Sequence, residues 1–272
     1  MTLHSDHVRI LKDTSRTFFI PISRLPSRLQ ETVASAYLCM RAIDEIEDHP
    51  ELDGATKAML LRGLGPILQS QIGRDSTSLP LPAIKAIFTP FEAVLPEVTL
   101  RIGDWLTSAP PDIAPRVWDA TIAMAERMAY WVDHRWQIKD EADLDGYTFS
   151  VAGAVGLLIC DVWGWFDGTQ IDRLCAVHFG RGLQAVNIIR NRAEDMERGV
   201  DFYPVGWSDR QMFAYAHNYL SLAKTGIKEM PKGSFKYFVE IPLLLAEATL
   251  EAIRTGSGKL TREQVLAIVG QS

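Results

Sequence analysis

The sequence predicts an all-α fold, and three observations point to it. Apolar residues recur at spacings of three and four along six long stretches, the period of an amphipathic helix. Alternating apolar runs bounded by Asn-Gly or Asp-Gly hairpin turns are absent, so a sheet has little support. The breaks are turn-rich connections of ordinary length, with no flexible interdomain linker and no repeat at solenoid period.

The first stretch, residues 27–48, closes ahead of the Asp53-Gly54 turn. The second, 56–71, runs up to a turn-rich segment at 76–82. The third, 116–136, follows a break at 109–115 and stops before another at 140–145. The fourth, 146–165, ends at Asp167-Gly168, and the fifth, 170–198, ends at a break over 199–206. The sixth, 242–254, opens on Pro242 beyond a break at 230–234. With 272 residues and 47% hydrophobic content the chain can bury a sizeable core, and one domain over 1–272 is the simplest assembly of these elements.

Composition narrows the function. A net charge of −6 and a pI near 5.6 leave no basic face for nucleic acid. Cys39, Cys160 and Cys175 are an odd set without C-x-x-C spacing, which predicts reduced thiols rather than a disulfide framework or a zinc site. The opening Met-Thr-Leu-His-Ser-Asp lacks the pattern of a signal peptide. The longest apolar stretch, 151–166, is interrupted by Asp161 and is short for a bilayer span. These features predict a soluble cytoplasmic protein, monomer or homodimer, that a greasy substrate could bring into peripheral membrane contact. No P-loop, G-x-G-x-x-G or G-x-S-x-G is present, and the six histidines lack metal-ligand spacing. Trp131, Trp136, Trp163 and Trp165 read as core aromatics.

Two polar ladders interrupt the apolar helices. Tyr37, Arg41, Asp44 and Asp48 follow one another at four, three and four. Gln184, Asn187, Asn191 and Asp195 are spaced three, four and four. Each set lies on one face of its helix. Solvated faces with i,i+4 ion pairs are the competing explanation. Asp44 and Asp48 argue against it, because like charges at that spacing destabilise a helix unless a cation compensates. The second ladder is mostly uncharged amide, better suited to binding than to solvation. Carboxylates and amide oxygens from two facing helices would make an oxygen-only site suited to Mg²⁺ shared with phosphates.

These residues, with Ser15-Arg16-Thr17-Phe18, Tyr147-x-x-x-Val151-Ala152-Gly153-Ala154-Val155-Gly156, Arg198-Gly199 and Phe202-Tyr203-Pro204, occur in an order that resembles the squalene/phytoene synthase family. The resemblance implies a single isoprenoid synthase domain with a central apolar cavity between antiparallel helices. It implies prenyl diphosphate substrates and Mg²⁺, with Asp44 and Asp48 holding metal on one side and Asn191 and Asp195 opposite. Ser15, Arg16, Arg41, Gln184, Asn187 and Arg190 would hold the diphosphate. Tyr37, Arg41 and Tyr147 would take catalytic parts, although a core tyrosine with a satisfied hydroxyl is the competing reading. Gly153 and Gly156 would give close helix packing and room for an isoprenoid chain.

One departure matters. The second acidic motif of the family usually opens with Asp and here opens with Asn191, one charge short. Class I terpene synthases, which ionise a single diphosphate, commonly use Asn there. The expectation is therefore ionisation of one farnesyl diphosphate, giving farnesol and pyrophosphate, as in the bacillus-type prenyl-diphosphate phosphatase branch. Head-to-head condensation of two farnesyl diphosphates to presqualene diphosphate, squalene or dehydrosqualene is the alternative. An inactive prenyl-lipid binding subunit is a third.

Overall fold

The structure is a computed structural model that describes residues 4–15, 17–72, 78–258 and 260–270. In chain order the helices are α1 (Ser5–Thr14), α2 (Phe19–Ser23), α3 (Ser27–Glu47), α4 (Gly54–Gln69), α5 (Leu81–Phe88), α6 (Glu97–Leu100) and α7 (Ile102–Ser108). They continue as α8 (Ala114–Asp133), α9 (Glu141–Thr148), α10 (Ala154–Asp167), α11 (Arg173–Glu197), α12 (Asp209–Glu229), α13 (Ser234–Arg254) and α14 (Arg262–Gly270). No strand occurs among the described residues. Contacts divide the chain into two compact units, interleaved in sequence: 1–16, 24–136 and 165–168 in one; 17–23, 137–164 and 169–272 in the other. Each is described by itself.

In the first unit α3 packs against α6, α7 and α8, and α4 packs against α8. Ala34, Ser35, Ala36 and Ala42 are small and buried, so neighbours approach α3 from several sides. Ser35 Oγ donates to the Trp105 carbonyl at 2.6 Å, and Thr99 Oγ1 to the Ala42 carbonyl at 2.9 Å. The buried indoles of Trp105 and Trp118 donate to the carbonyls of Val98 and Leu106, so no polar atom of either ring is stranded. Asp53 caps α4 by accepting the Thr56 N–H at 2.8 Å.

Helix α8 ends in an unusual turn. The Arg135 N–H donates to the Val132 carbonyl and the Trp136 N–H to the Trp131 carbonyl, the pair of bonds of a Schellman cap. Glycine normally supplies the left-handed residue there, yet Arg135 (φ 52°) and Trp136 (φ 49°) occupy it. Arg135→Gly is expected to stabilise the protein by about 1 kcal/mol, read as a raised midpoint in denaturant unfolding. An unchanged or lowered midpoint would show that the turn is not strained.

In the second unit α11 packs against α12, α13 and a π-helical turn at Phe149–Gly153 that joins α9 to α10. The single helix expected over 146–165 is thus three segments, and it begins earlier, at Glu141. Asp140, read from sequence as part of a loop, is its N-cap and accepts the Asp143 N–H at 3.0 Å. A Cβ on Gly180 would lie 2.4 Å from the Ala152 carbonyl oxygen, and one on Gly156 would lie 2.3 Å from that of Ala176. Backbone meets backbone at both places, so these glycines set how closely α11 approaches the π-turn and α10.

The run Glu141–Asp167 is 27 residues, long and apolar enough to cross a membrane by length and composition. The apolar stretch counted from sequence was shorter because the π-turn joins it to α9. Within the run Trp163 is fully buried and Gly156 closes on α11, while 39% of its most apolar window is buried. Helix α13 starts at Ser234 rather than at Pro242. Burial of Phe235, Phe238, Val239 and Ile241 outweighs the hydrogen bond that Pro242 forfeits. Helix α12 was not expected, although Ser208 and Gln211 form a capping box ahead of it. Cys39, Cys160 and Cys175 are all free and buried.

Candidate functional site

The carboxyl half of α3 carries the first ladder. Tyr37 Oη donates to the Thr14 carbonyl at 3.0 Å, beside the buried Ser15, and burial raises the phenol pKa. The hydroxyl is therefore satisfied by the end of α1. Arg41 Nη1 donates to Asp44 Oδ2 at 2.5 Å, and Nη2 donates to Glu45. Its Nε is buried without a hydrogen-bond partner among the described residues.

Asp44, Glu47 and Asp48 each offer a carboxylate oxygen within 4.8 Å of the others. Glu47 was not among the residues singled out from sequence. It is 3% exposed and accepts from the indole N–H of Trp136. The signal was present: Glu47 follows Asp44 at i+3 and so shares its helix face. Trp136, read as core, is in fact only partly buried and is committed to Glu47. Trp165 is likewise partly exposed, donating to Asp112 at 3.0 Å, whereas Trp131 and Trp163 are buried.

Three clustered carboxylates repel one another unless protonated or bridged by a cation. Burial first, and then the charge of Asp48, pushes the Asp44 carboxyl up to about 7. Burial, followed by the charges of Asp48 and Asp44, also raises Glu47 well above the usual carboxylate range. Such a donor set fits a hard divalent cation, which would remove that repulsion.

The same shift predicts a pH dependence. A carboxyl whose folded pKa exceeds its unfolded value favours the fold while protonated. That contribution is whole below about pH 4 and is lost as pH rises through about 7. The metal-free protein is expected to lose part of its thermal stability between about pH 5 and about pH 8, and Asp44→Asn to lose less. An equal loss in the variant would remove Asp44 from the explanation.

Helix α11 carries the second ladder. Asn187 Nδ2 donates to Gln184 Oε1 at 3.5 Å, and Arg190 Nε to Asn191 Oδ1 at 3.1 Å. Asp195 is buried and accepts from Arg198. The helix stops one turn later, where the Val200 N–H donates to the Asp195 carbonyl and Gly199 adopts φ 80°. Arg192, unremarked in the sequence, donates to Asp201 and Asp209, each at 2.9 Å, and lies 3.6 Å over the Tyr203 ring. Tyr147, on α9, is buried and stacks on Phe202 with centroids 4.5 Å apart.

Ser15, Tyr37, Arg41, Asp44 and Asp48 thus lie in the first unit, and Tyr147, Gln184, Asn187, Arg190, Asn191 and Asp195 in the second. Arg16 lies outside the described residues. Of the family-block glycines, Gly156 makes the close backbone approach, while a Cβ on Gly153 would meet only side chains, Phe149 at 3.2 Å and Val177 at 3.3 Å.

The sequence model of a family described as Squalene/phytoene synthase matches residues 11–212. The squalene synthase of Mycosarcoma maydis is 28% identical over 235 residues, covering 82% of this chain and 39% of that protein. Squalene synthase BSS of Botryococcus braunii is 31% identical over 192 residues, covering 69% of this chain and 39% of its own length. The squalene synthase of Schizosaccharomyces pombe is 26% identical over 208 residues, covering 72% and 43%. The chain spans about two fifths of the length of these curated relatives. Among solved structures, TcSQS in complex with a ligand superposes with a TM-score of 0.74 at 20% identity, covering 98% of this chain and 86% of that one. A dehydrosqualene synthase superposes with 0.65 at 16% identity, covering 98% and 94%. These neighbours establish the all-α isoprenoid synthase fold.

Proposed function

The chain belongs to the squalene/phytoene synthase family, and from that premise we propose that it joins two farnesyl diphosphates head to head into a C30 product, with Mg²⁺ as cofactor. The observation that supports metal-assisted ionisation is the Asp44–Glu47–Asp48 cluster on the helix that also bears Arg41. When bound, the cation supplies Lewis-acid stabilisation of the departing diphosphate. In the first unit Asp44, Glu47 and Asp48 would hold it; in the second, Asn191 and Asp195 are the residues to which the family resemblance gives a metal-holding part. Arg41, Arg190, Arg16 and Ser15 would bind diphosphate oxygens, with Gln184 and Asn187 at the same end of the substrate.

In the first step the allylic C–O bond of the donor breaks, and its electron pair leaves on pyrophosphate. The alkene of the second molecule then supplies the electron pair of the new C–C bond, and a proton is lost to close the cyclopropane. The family resemblance gives Tyr37 and Tyr147 the parts of cation stabilisation and proton movement; Tyr37 would have to release the Thr14 carbonyl to move a proton. Arg41 anchors the charge that the leaving group acquires.

Release of farnesol, the reading placed first by the sequence, keeps one observation in its favour: Asn191 brings no charge. Glu47 weakens that argument, because it adds a carboxylate that the charge deficit had left out. The printed names of the relatives, squalene synthases and a dehydrosqualene synthase, also support condensation better than hydrolysis.

Incubation of the purified protein with Mg²⁺ and farnesyl diphosphate, followed by extraction and mass spectrometry, separates the two. Presqualene diphosphate or a C30 hydrocarbon is the expected product. Farnesol as the main product overturns condensation in favour of hydrolysis. Binding of farnesyl diphosphate without turnover would point to the inactive subunit.

A further inference from the structure

Trp136 is held where it is at a cost. It and Arg135 are the non-glycine residues with positive φ among those described, and each such residue costs roughly 1 kcal/mol or more. A glycine at 135 would end α8 as well, so stopping the helix does not account for the second left-handed residue. What this turn delivers is an indole directed at one carboxylate.

Two contacts reach Glu47 from outside its own helix, and a third ties their donors to each other. The Trp136 Nε1–H donates to Glu47 Oε1. Lys57, itself 7% exposed, donates from Nζ to the Glu47 carbonyl at 2.7 Å. The same ammonium lies 5.2 Å from the centroid of the Trp136 ring, so it holds the indole by its face while holding Glu47 by its backbone.

We propose that Trp136, backed by Lys57, is a positioning residue that fixes the Glu47 carboxylate for the divalent cation of the Asp44–Glu47–Asp48 cluster. This rests on the metal-binding part of the reading above. With one oxygen engaged by the indole, Glu47 has the other to offer, and its side chain loses no rotamer freedom when a cation arrives. Partners of this kind typically carry 10–100-fold in metal affinity.

The test measures metal binding rather than turnover. Mn²⁺ is titrated into the full-length wild-type protein and Trp136→Phe, with free Mn²⁺ followed by electron paramagnetic resonance. Trp136→Phe keeps an aromatic ring and loses the donor, and its affinity is expected to fall about 10-fold or more. In a Glu47→Gln background the same change is expected to alter affinity less than about twofold, since the partner it acts through is gone. A single-variant affinity within about twofold of wild type overturns the inference, as do losses that simply add in the double variant. If Trp136→Phe does not fold, Lys57→Met removes the support from the other side and carries the same two expectations. A wild-type protein that takes up no Mn²⁺ refutes the metal reading itself. Binding by wild type with equal binding by the variant refutes only the role of Trp136.

Discussion

Asp48→Asn is expected to abolish turnover of farnesyl diphosphate while leaving the metal-free protein at least as stable as before. The two halves of that expectation come from one geometry. Asp48, the C-cap of α3, sits one turn beyond Asp44, and the pair repel each other, a penalty of about 0.2–0.5 kcal/mol in an exposed helix. Removing one charge relieves that penalty and lets the Asp44 pKa fall, since the charge of Asp48 helps to raise it. The same change takes a ligand from the proposed cation. Metal stabilisation of a departing diphosphate contributes several kcal/mol, and each 1.36 kcal/mol is tenfold in rate, so the loss in kcat is about a thousandfold or more. Steady-state assays with Mg²⁺ and a thermal melt of the metal-free protein check both halves. Turnover within about tenfold of wild type would exclude Asp48 from the site, and a large loss of stability would make it a structural residue instead.

The second large effect concerns packing. Gly180→Ala places a Cβ 2.4 Å from the Ala152 carbonyl oxygen and 2.8 Å from the Gly153 nitrogen. Those are backbone atoms of the π-turn and cannot rotate aside, so α11 must move away. Overpacking of this kind costs about 1–3 kcal/mol or more, against a gain of about 1 kcal/mol from replacing glycine by alanine in a helix. A net loss of up to about 2 kcal/mol is expected. Gly164→Ala is the control, because its Cβ would come no nearer than 3.9 Å to the Thr169 carbonyl oxygen, within α10. It should stabilise by up to about 1 kcal/mol. Equilibrium unfolding of the two variants decides the matter, and equal behaviour would refute the close approach of α11 to the π-turn.

Periodicity made the long helices legible, above all α3 and α11, because each carries apolar residues at threes and fours over five turns or more. It failed where a local signal and a tertiary one compete. Pro242 looked like a helix start, yet the apolar residues ahead of it are buried and carry α13 back to Ser234. Asp140 looked like a loop residue and is a helix cap. The capping box of Ser208 and Gln211 is the local signal in the sequence that marks the start of α12.

The carboxylates of the first ladder were legible through their spacing, but following steps of four left out Glu47, one residue earlier. The pairing of Glu47 with Trp136 spans 89 residues of sequence and has no local signature. The order of the functional readings also changed. A single missing charge at Asn191 favoured hydrolysis, whereas the family relatives and the extra carboxylate favour condensation.

The segment after α11 has a consequence for how much order binding must create. Its N–H groups at Val200, Tyr203 and Val205 donate to the Asp195 carbonyl, the Asp201 carboxylate and the Lys139 carbonyl. Arg192 pins it further through Asp201, Asp209 and the Tyr203 ring. Fixing one residue of free chain costs about 1–2 kcal/mol of backbone entropy. Here these N–H groups are already paired without ligand, so binding nearby would spend little affinity on freezing a loop. Amide hydrogen exchange at these three positions should be slow without ligand and should change little when a diphosphate binds.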